Sequence, residues 1–168
     1  MTGIIGGRQW GGRSGTIATF PKVAIIADQK VHNAQGGSFT SGGWRVRELN
    51  TELSDIYGIV SLSSDQFTLQ PGVYTLDWSC PARKTDRHST RLYNVTDSSV
   101  AAWGQSSYPA NTNADGDTVS MCAQVSITGA KAFEIQHRCQ TDSATNGLGL
   151  DQLNDTSGVS TVSYTHLR

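Results

Sequence analysis

The chain has 168 residues, a formal net charge of −1 and 36% hydrophobic residues. That length suits one domain with a core of its own. The near-neutral balance predicts no nucleic-acid footprint, which needs a basic stripe, and no apolar run approaches the ~20 residues of a membrane-spanning helix.

In chain order, residues 1–20 carry Gly3, Gly6, Gly7, Gly11, Gly12 and Gly15. A run this rich in glycine buries too little to hold a packed core. It also holds Ile4, Ile5 and Trp10, which a spacer does not need. It reads either as a frayed terminus or as an attachment arm that orders on a partner through those three side chains. The first five residues lack the long apolar core of a secretory signal. Cys80, Cys122 and Cys139 are odd in number and match no CxxC pattern. They read as thiols of a protein made in a reducing cytoplasm.

Residues 21–168 form the domain. Val23 to Ala27 is a short apolar run between Pro21 and Asp28, the pattern of a buried strand. Ser38 to Thr40 lies between glycine pairs and suits an edge strand. Trp44 to Leu49 alternates. Asn50 to Asp55 is rich in turn and cap formers and suggests a single helical turn. Ile59 to Leu62 and Phe67 to Leu69 are further short strands. Pro71-Gly72 is a turn signal. After it Tyr74, Leu76, Trp78 and Cys80 share one face, so a half-buried strand is predicted, ending near Pro81 because proline cannot donate to a ladder. A basic tip, Arg83 to His88, and a strand from Thr90 to Val95 then complete an expected hairpin. A strand over Val100 to Gly104 leads into a polar loop, Ser106 to Asp117. Thr118 to Thr128 places Val119, Met121, Ala123, Val125 and Ile127 on one face. Gly129-Ala130 turns the chain into Phe133, Ile135 and His137, a second expected hairpin. The polar stretch 141–157 and a strand over Val159 to Leu167 close the chain. About eight to ten strands with regular turn signals and no long helix mean an all-β sandwich or barrel, most simply a jelly roll.

Several segments carry a resemblance: ATFPKVAIIADQK, GGSFTSGGWRVRELNTE, GIVSLSSDQFTLQPGVYTLDWSCPA and DRHSTRLYNVTDSSV. Together they resemble small bacteriophage virion proteins whose jelly-roll domain is similar to the tumour-necrosis-factor and complement-collagen-head superfamily. The resemblance covers about residues 18–168. It implies a compact homotrimer, located in the virion and made in the host cytoplasm, with the Gly-rich arm attaching it to other virion proteins. Members of such families serve as tail-fibre heads, adhesion modules or capsid ornaments. A receptor-binding head of the tail or fibre is the expected role. A cement or decoration trimer at threefold positions of the shell is the alternative, and the short stretch before the domain weighs towards it or towards a head docked on a separate shaft protein.

Within that frame three constellations stand out, and a few single residues and patterns beside them. Arg83, Lys84, Arg87 and His88 suit an anionic host glycan or a partner carboxylate; a solvated loop, or intersubunit pairs with Asp86 and Asp77, is the competing account. Asn111, Asn113, Asp115 and Asp117 space oxygen ligands like the start of a calcium loop, but the twelfth position is Cys122 and the EF-hand pattern fails. A plain polar loop is the expected account and a loose calcium site the alternative; no other cofactor is expected. The rings of Trp44, Tyr74, Trp78, Tyr93, Trp103 and Tyr164 suit either a sugar-stacking platform or core and interface packing, with Tyr93 and Tyr164 assigned to the threefold interface. His137 continues an apolar face and reads as a satisfied core or interface residue. The acceptor patterns at Asn94 and Asn154 read as chance without a secretory signal. No GxSxG, HExxH or Cys-His arrangement occurs, and no paired carboxylates argue for acid–base catalysis. An enzyme, such as a depolymerase of host polysaccharide, is not expected.

Overall fold

The computed structural model describes residues 21–108, 116–150 and 159–167, with 159–164 and 166 described by their backbone alone. The chain runs through β1 (Ala24–Val31), β2 (Arg45–Val46), β3 (Thr51–Ser54), β4 (Val60–Ser63), β5 (Gln66–Leu69), β6 (Gly72–Arg83), β7 (His88–Asn94), β8 (Ser99–Ser107), β9 (Gly116–Ile127), β10 (Lys131–Cys139) and β11 (Val159–Leu167). Two antiparallel sheets result. One has the order β3-β1-β11-β6-β9; the other has the order β4-β5-β10-β7-β8, with the short β2 paired to β10. This is a jelly-roll β-sandwich. Among the described residues no helix is long and apolar enough to cross a membrane.

The alternation along each long strand decides which side chains enter the core. On β6, Leu76, Trp78, Cys80 and Ala82 are buried, and the residues between them are partly exposed. On β9 the predicted row Val119 to Ile127 packs on the core, and Ser120, Cys122, Gln124 and Ser126 face out. Trp78 is 1% exposed, and its Nε1 donates to Thr90 Oγ1 across the sandwich at 2.9 Å. Burying an apolar side chain of this size contributes about 1.5–3 kcal/mol, and the hydrogen bond keeps the indole N–H satisfied. Gly104 makes this contact feasible. A Cβ there would overlap Thr90 Oγ1 and come within 2.9 Å of the Thr90 carbonyl oxygen.

Four expectations from sequence are corrected. β6 and β7 are not a hairpin, because they lie in opposite sheets; β6 pairs with β9 and β11, and β7 with β8 and β10. The second expected hairpin fails the same way, since Gly129-Ala130 carries the chain from β9 in one sheet to β10 in the other. Alternation reports which side chains face the core. It cannot report from which side of the core they do so. Residues 51–54 are a strand and not a helical turn, with Thr51 opposite Ala27 and Glu52 opposite Ile26. β6 also runs on through Pro81 to Arg83. Its ladder with β11 stops at Ser79, so Pro81 has a strand on one side only, where a missing N–H is tolerated.

Candidate functional site

One end of the sandwich is knitted together by three non-strand segments. Phe39 exchanges both backbone hydrogen bonds with Ser143, at 2.8 and 2.9 Å. The 84–87 crossing is held by Gln140 N to Arg87 O at 2.8 Å and Thr141 N to Thr85 O at 3.0 Å. It bends through left-handed conformations at Lys84 (φ 56°) and Asp86 (φ 53°). The basic tip is thus a pinned corner. Beneath it lies a small second core of Phe39, Ala82, Cys139 and Leu148. Arg47 is fully buried there; its Nη2 donates to Leu148 O at 2.9 Å and its Nη1 to Pro81 O at 3.4 Å.

Two buried histidines sit beside that core. His88 Nδ1 and His137 Nε2 are 2.8 Å apart, so one ring donates and the other accepts. Phe39 packs on His137 with ring centroids 4.6 Å apart. His88 Nε2 and His137 Nδ1 have no hydrogen-bond partner among the described residues. Burial pulls His88 down to about 4, helped by Arg47 and opposed by Asp117. Burial, Arg47 and His88 hold His137 well below its ordinary value. Both rings are neutral at pH 7. Burial also pushes the Cys139 thiol up to about 11, so it is protonated and a poor nucleophile. No group of three or more His, Cys, Asp or Glu that could hold a metal occurs among the described residues.

A cleft of about 850 Å³ opens at this end. Its lining includes Ser41, Arg87, His88, Ser106, Tyr108 and Arg138. Arg87 and Arg138 are exposed, and neither forms a salt bridge among the described residues. Arg87 lies over the Tyr108 ring, 5.8 Å from its centroid. The nearby carboxylates are otherwise engaged. Asp117 accepts from the Ser107 hydroxyl and from Thr118 N. Asp142 accepts from Ser41 N at 2.6 Å, and hydrogen bonding from Ser41 holds its carboxyl below the usual range.

The outward face of the β7–β8–β10 sheet continues from the cleft. Arg138 is opposite Ser89, Gln136 opposite Arg91, and Glu134 opposite Tyr93. Across the other edge of β7, Ser106 is opposite Ser89 and Trp103 opposite Arg91. The Arg91 guanidinium lies 4.2 Å from the Trp44 centroid, 5.0 Å from Tyr93 and 5.8 Å from Trp103. Its Nε donates to Gln136 Oε1 at 2.6 Å. Gln136 Nε2 donates in turn to Glu134, which also accepts from Gln66 at 3.2 Å. Trp103 is 61% exposed.

The structure therefore separates the sequence candidates. Of the basic tip, Arg87 rims the cleft, His88 is buried at its lining, and Arg83 and Lys84 are half-buried outside it. Tyr93 is half-buried against Arg91. Tyr164 is at the register position opposite Ala27 and Ser79. Asp117 lies in β9, while Asn111, Asn113, Asp115, Ile4, Ile5 and Trp10 lie outside the described residues. Of the other rings, Trp78 and Tyr74 belong to the core side. Sequence reasoning missed Arg138, Gln136 and Glu134. The inward alternation of Phe133, Ile135 and His137 was the available signal, since it sends the residues between them outward.

No known family model matches the sequence, and no curated protein matches it. Solved structures do match in fold. The globular domain of zebrafish complement 1qA is similar at 15% identity and TM-score 0.51, over 88% of this chain and 94% of that one. Murine APRIL at pH 5.0 is similar at 7% identity and TM-score 0.54, over 88% and 99%. Eiger TNF from S. frugiperda is similar at 14% identity and TM-score 0.55, over 87% and 90%. At these identities the likeness shows the jelly-roll fold alone.

Proposed function

We propose that this chain is a non-enzymatic, trimeric recognition head of a bacteriophage particle, attached by its N-terminal arm and contacting the host receptor. Three things support the reading. The sequence segments quoted above resemble phage virion proteins. Domains of the complement-1q and tumour-necrosis-factor type are typically trimeric non-enzymatic modules. The observation that carries it is the open cleft at the pinned end, rimmed by Arg87 and Arg138 with no salt bridge among the described residues. Exposed guanidinium groups beside a row of hydroxyls form a surface for recognition, and loops held on a rigid scaffold are where binding function is placed. Three such clefts on one head multiply a weak contact by avidity.

The test is adsorption. Purified protein should compete with intact particles for host cells, and antibody labelling should place it at the tail end. Label spread over the whole shell, with no competition, would refute the receptor role and make the chain a decoration trimer. Removing residues 1–20 should leave the domain folded and trimeric but exclude it from particles; incorporation of the truncated protein would refute the arm as the anchor.

A further inference from the structure

We infer that the outward face of the β7–β8–β10 sheet binds an acidic oligosaccharide of at least two rings, with an anionic sugar in the Arg87–Arg138 cleft and its neighbour stacked on Trp103. This rests on the recognition-head reading and names the ligand class and the residues.

The two halves are one surface. Along β7, Ser89 at the cleft and Arg91 at the aromatic end are two residues apart, on the same face. At about 3.4 Å per residue that is about 7 Å, the scale of one sugar ring and its linkage. β10 repeats the step with Arg138 and Gln136; on β8, Ser106 and Trp103 are three residues apart, and a register shift between Ser89 and Arg91 keeps them opposite those two β7 residues.

The chemistry at each end is specific. A sugar ring presents an apolar C–H face and a rim of hydroxyls that both donate and accept. Trp103 offers an exposed indole face, with Trp44 tilted at 53° beside it, ring centroids 5.9 Å apart. Next to the rings runs a chain of planar polar groups, Arg91, Gln136, Glu134 and Gln66, each oriented by the next. Gln136 and Glu134 are 9% and 7% exposed, so their orientation is set before any ligand arrives. At the other end the cleft supplies charge complementarity. Arg87 and Arg138 suit a carboxylate bidentately. Ser41, Ser106 and Ser107 supply hydroxyls. His88, which also lines the cleft, keeps one buried ring nitrogen unpartnered among the described residues. A purely apolar partner would waste the polar chain, and a free anion would leave Trp103 uncovered.

A second copy of the chain is the rival occupant, since Tyr93 borders the same face. The test is calorimetric titration of the full chain with a tetrasaccharide alternating uronic acid and neutral hexose, and with its carboxyl-reduced counterpart. The acidic sugar should bind. Arg138→Gln should weaken it about tenfold, and raising salt from about 0.05 to 0.5 M should weaken it similarly by screening. The reduced sugar should bind more weakly and without salt dependence. Trp103→Ala should weaken both, and Trp103→Phe should restore part of the loss. No saturation at millimolar acidic sugar, or equal binding by wild type, Arg138→Gln and Trp103→Ala, would overturn the site. A fall of either variant to monomer mass would also overturn it, assigning the face to a subunit contact. If host adsorption requires the protein while the sugar does not bind, only this site fails. If adsorption does not require the protein, the recognition-head reading fails as well.

Discussion

Replacing His88 with Asn should flatten the acid sensitivity of the fold. The folded state holds His88 at about 4, chiefly by burial, against an ordinary value of 6.5. Below pH 6.5 the unfolded chain takes up a proton that the folded chain refuses until about pH 4. The folded form therefore has its full stability above 6.5 and loses it as pH falls through that window. At 1.36 kcal/mol per pKa unit, the gap bounds the loss at about 3 kcal/mol, of which about 2 kcal/mol falls between pH 7 and pH 5. His137 pushes in the same direction, because its depression has the same sign. The groups around the pair are Arg47, which opposes protonation, Asp117, which favours it, and Cys139, neutral in this range. Carboxylates that titrate elsewhere, such as Asp28 and Asp142, are common to both proteins and cancel in the difference. The assay is urea unfolding of wild type and His88→Asn at pH 7 and pH 5, at fixed protein concentration because an oligomer's stability depends on it. Wild type should lose about 2 kcal/mol more than the variant over that interval, which in thermal unfolding is about 4–8 °C in midpoint for a domain of this size. Equal losses in the two proteins would refute the assignment of acid sensitivity to the pair.

Four further outcomes are expected, three from the same geometry and one from the trimer proposal. Gly104→Ala should destabilise by about 1–3 kcal/mol, since its Cβ would drive Thr90 off Trp78; an unchanged unfolding midpoint would show that β8 shifts freely. Arg47→Leu should cost about 2–4 kcal/mol by stranding the Leu148 and Pro81 carbonyls, and a neutral result would mean that the second core repacks around the change. Maleimide should modify Cys122 first, with Cys80 and Cys139 protected until unfolding, because burial pushes both of those thiols up to about 11; early labelling of either buried thiol would contradict the packing. The solution mass should be three times 18.0 kDa, and a monomer at micromolar concentration would remove the trimer from the proposal.

Local pattern carried much of the fold. The rows on β6 and β9, and the strand starting near Ala24, were legible because period-two alternation is a local property. Which strands are neighbours was not legible. Leu76 and Leu92 both point at the core, and nothing in their spacing says that they approach it from opposite sheets. The same limit governs the site. Arg87 stood out because it lies in a basic run. Arg138 stood alone between His137 and Cys139, and only the pairing of β10 with β7 brings it beside Ser89. Trp44, Arg91 and Trp103 come from three separated segments, so their cluster belongs to tertiary structure.

The place of β11 has a consequence for biosynthesis. It lies between β1 and β6, so those two strands meet only through it. Yet β1 ends at Val31 and β11 begins at Val159. A ribosome adding about 5–20 residues per second makes the intervening stretch in about 6–25 s. From its own synthesis until β11 is made, each of Ala24, Ile26 and Leu76, all fully buried in the finished sandwich, lies beside a missing strand. β5, β7, β8 and β10, all made before β11, can pair during the same interval. The nascent chain is therefore a half-built sandwich with an open seam, and that seam stays open until β11 is made.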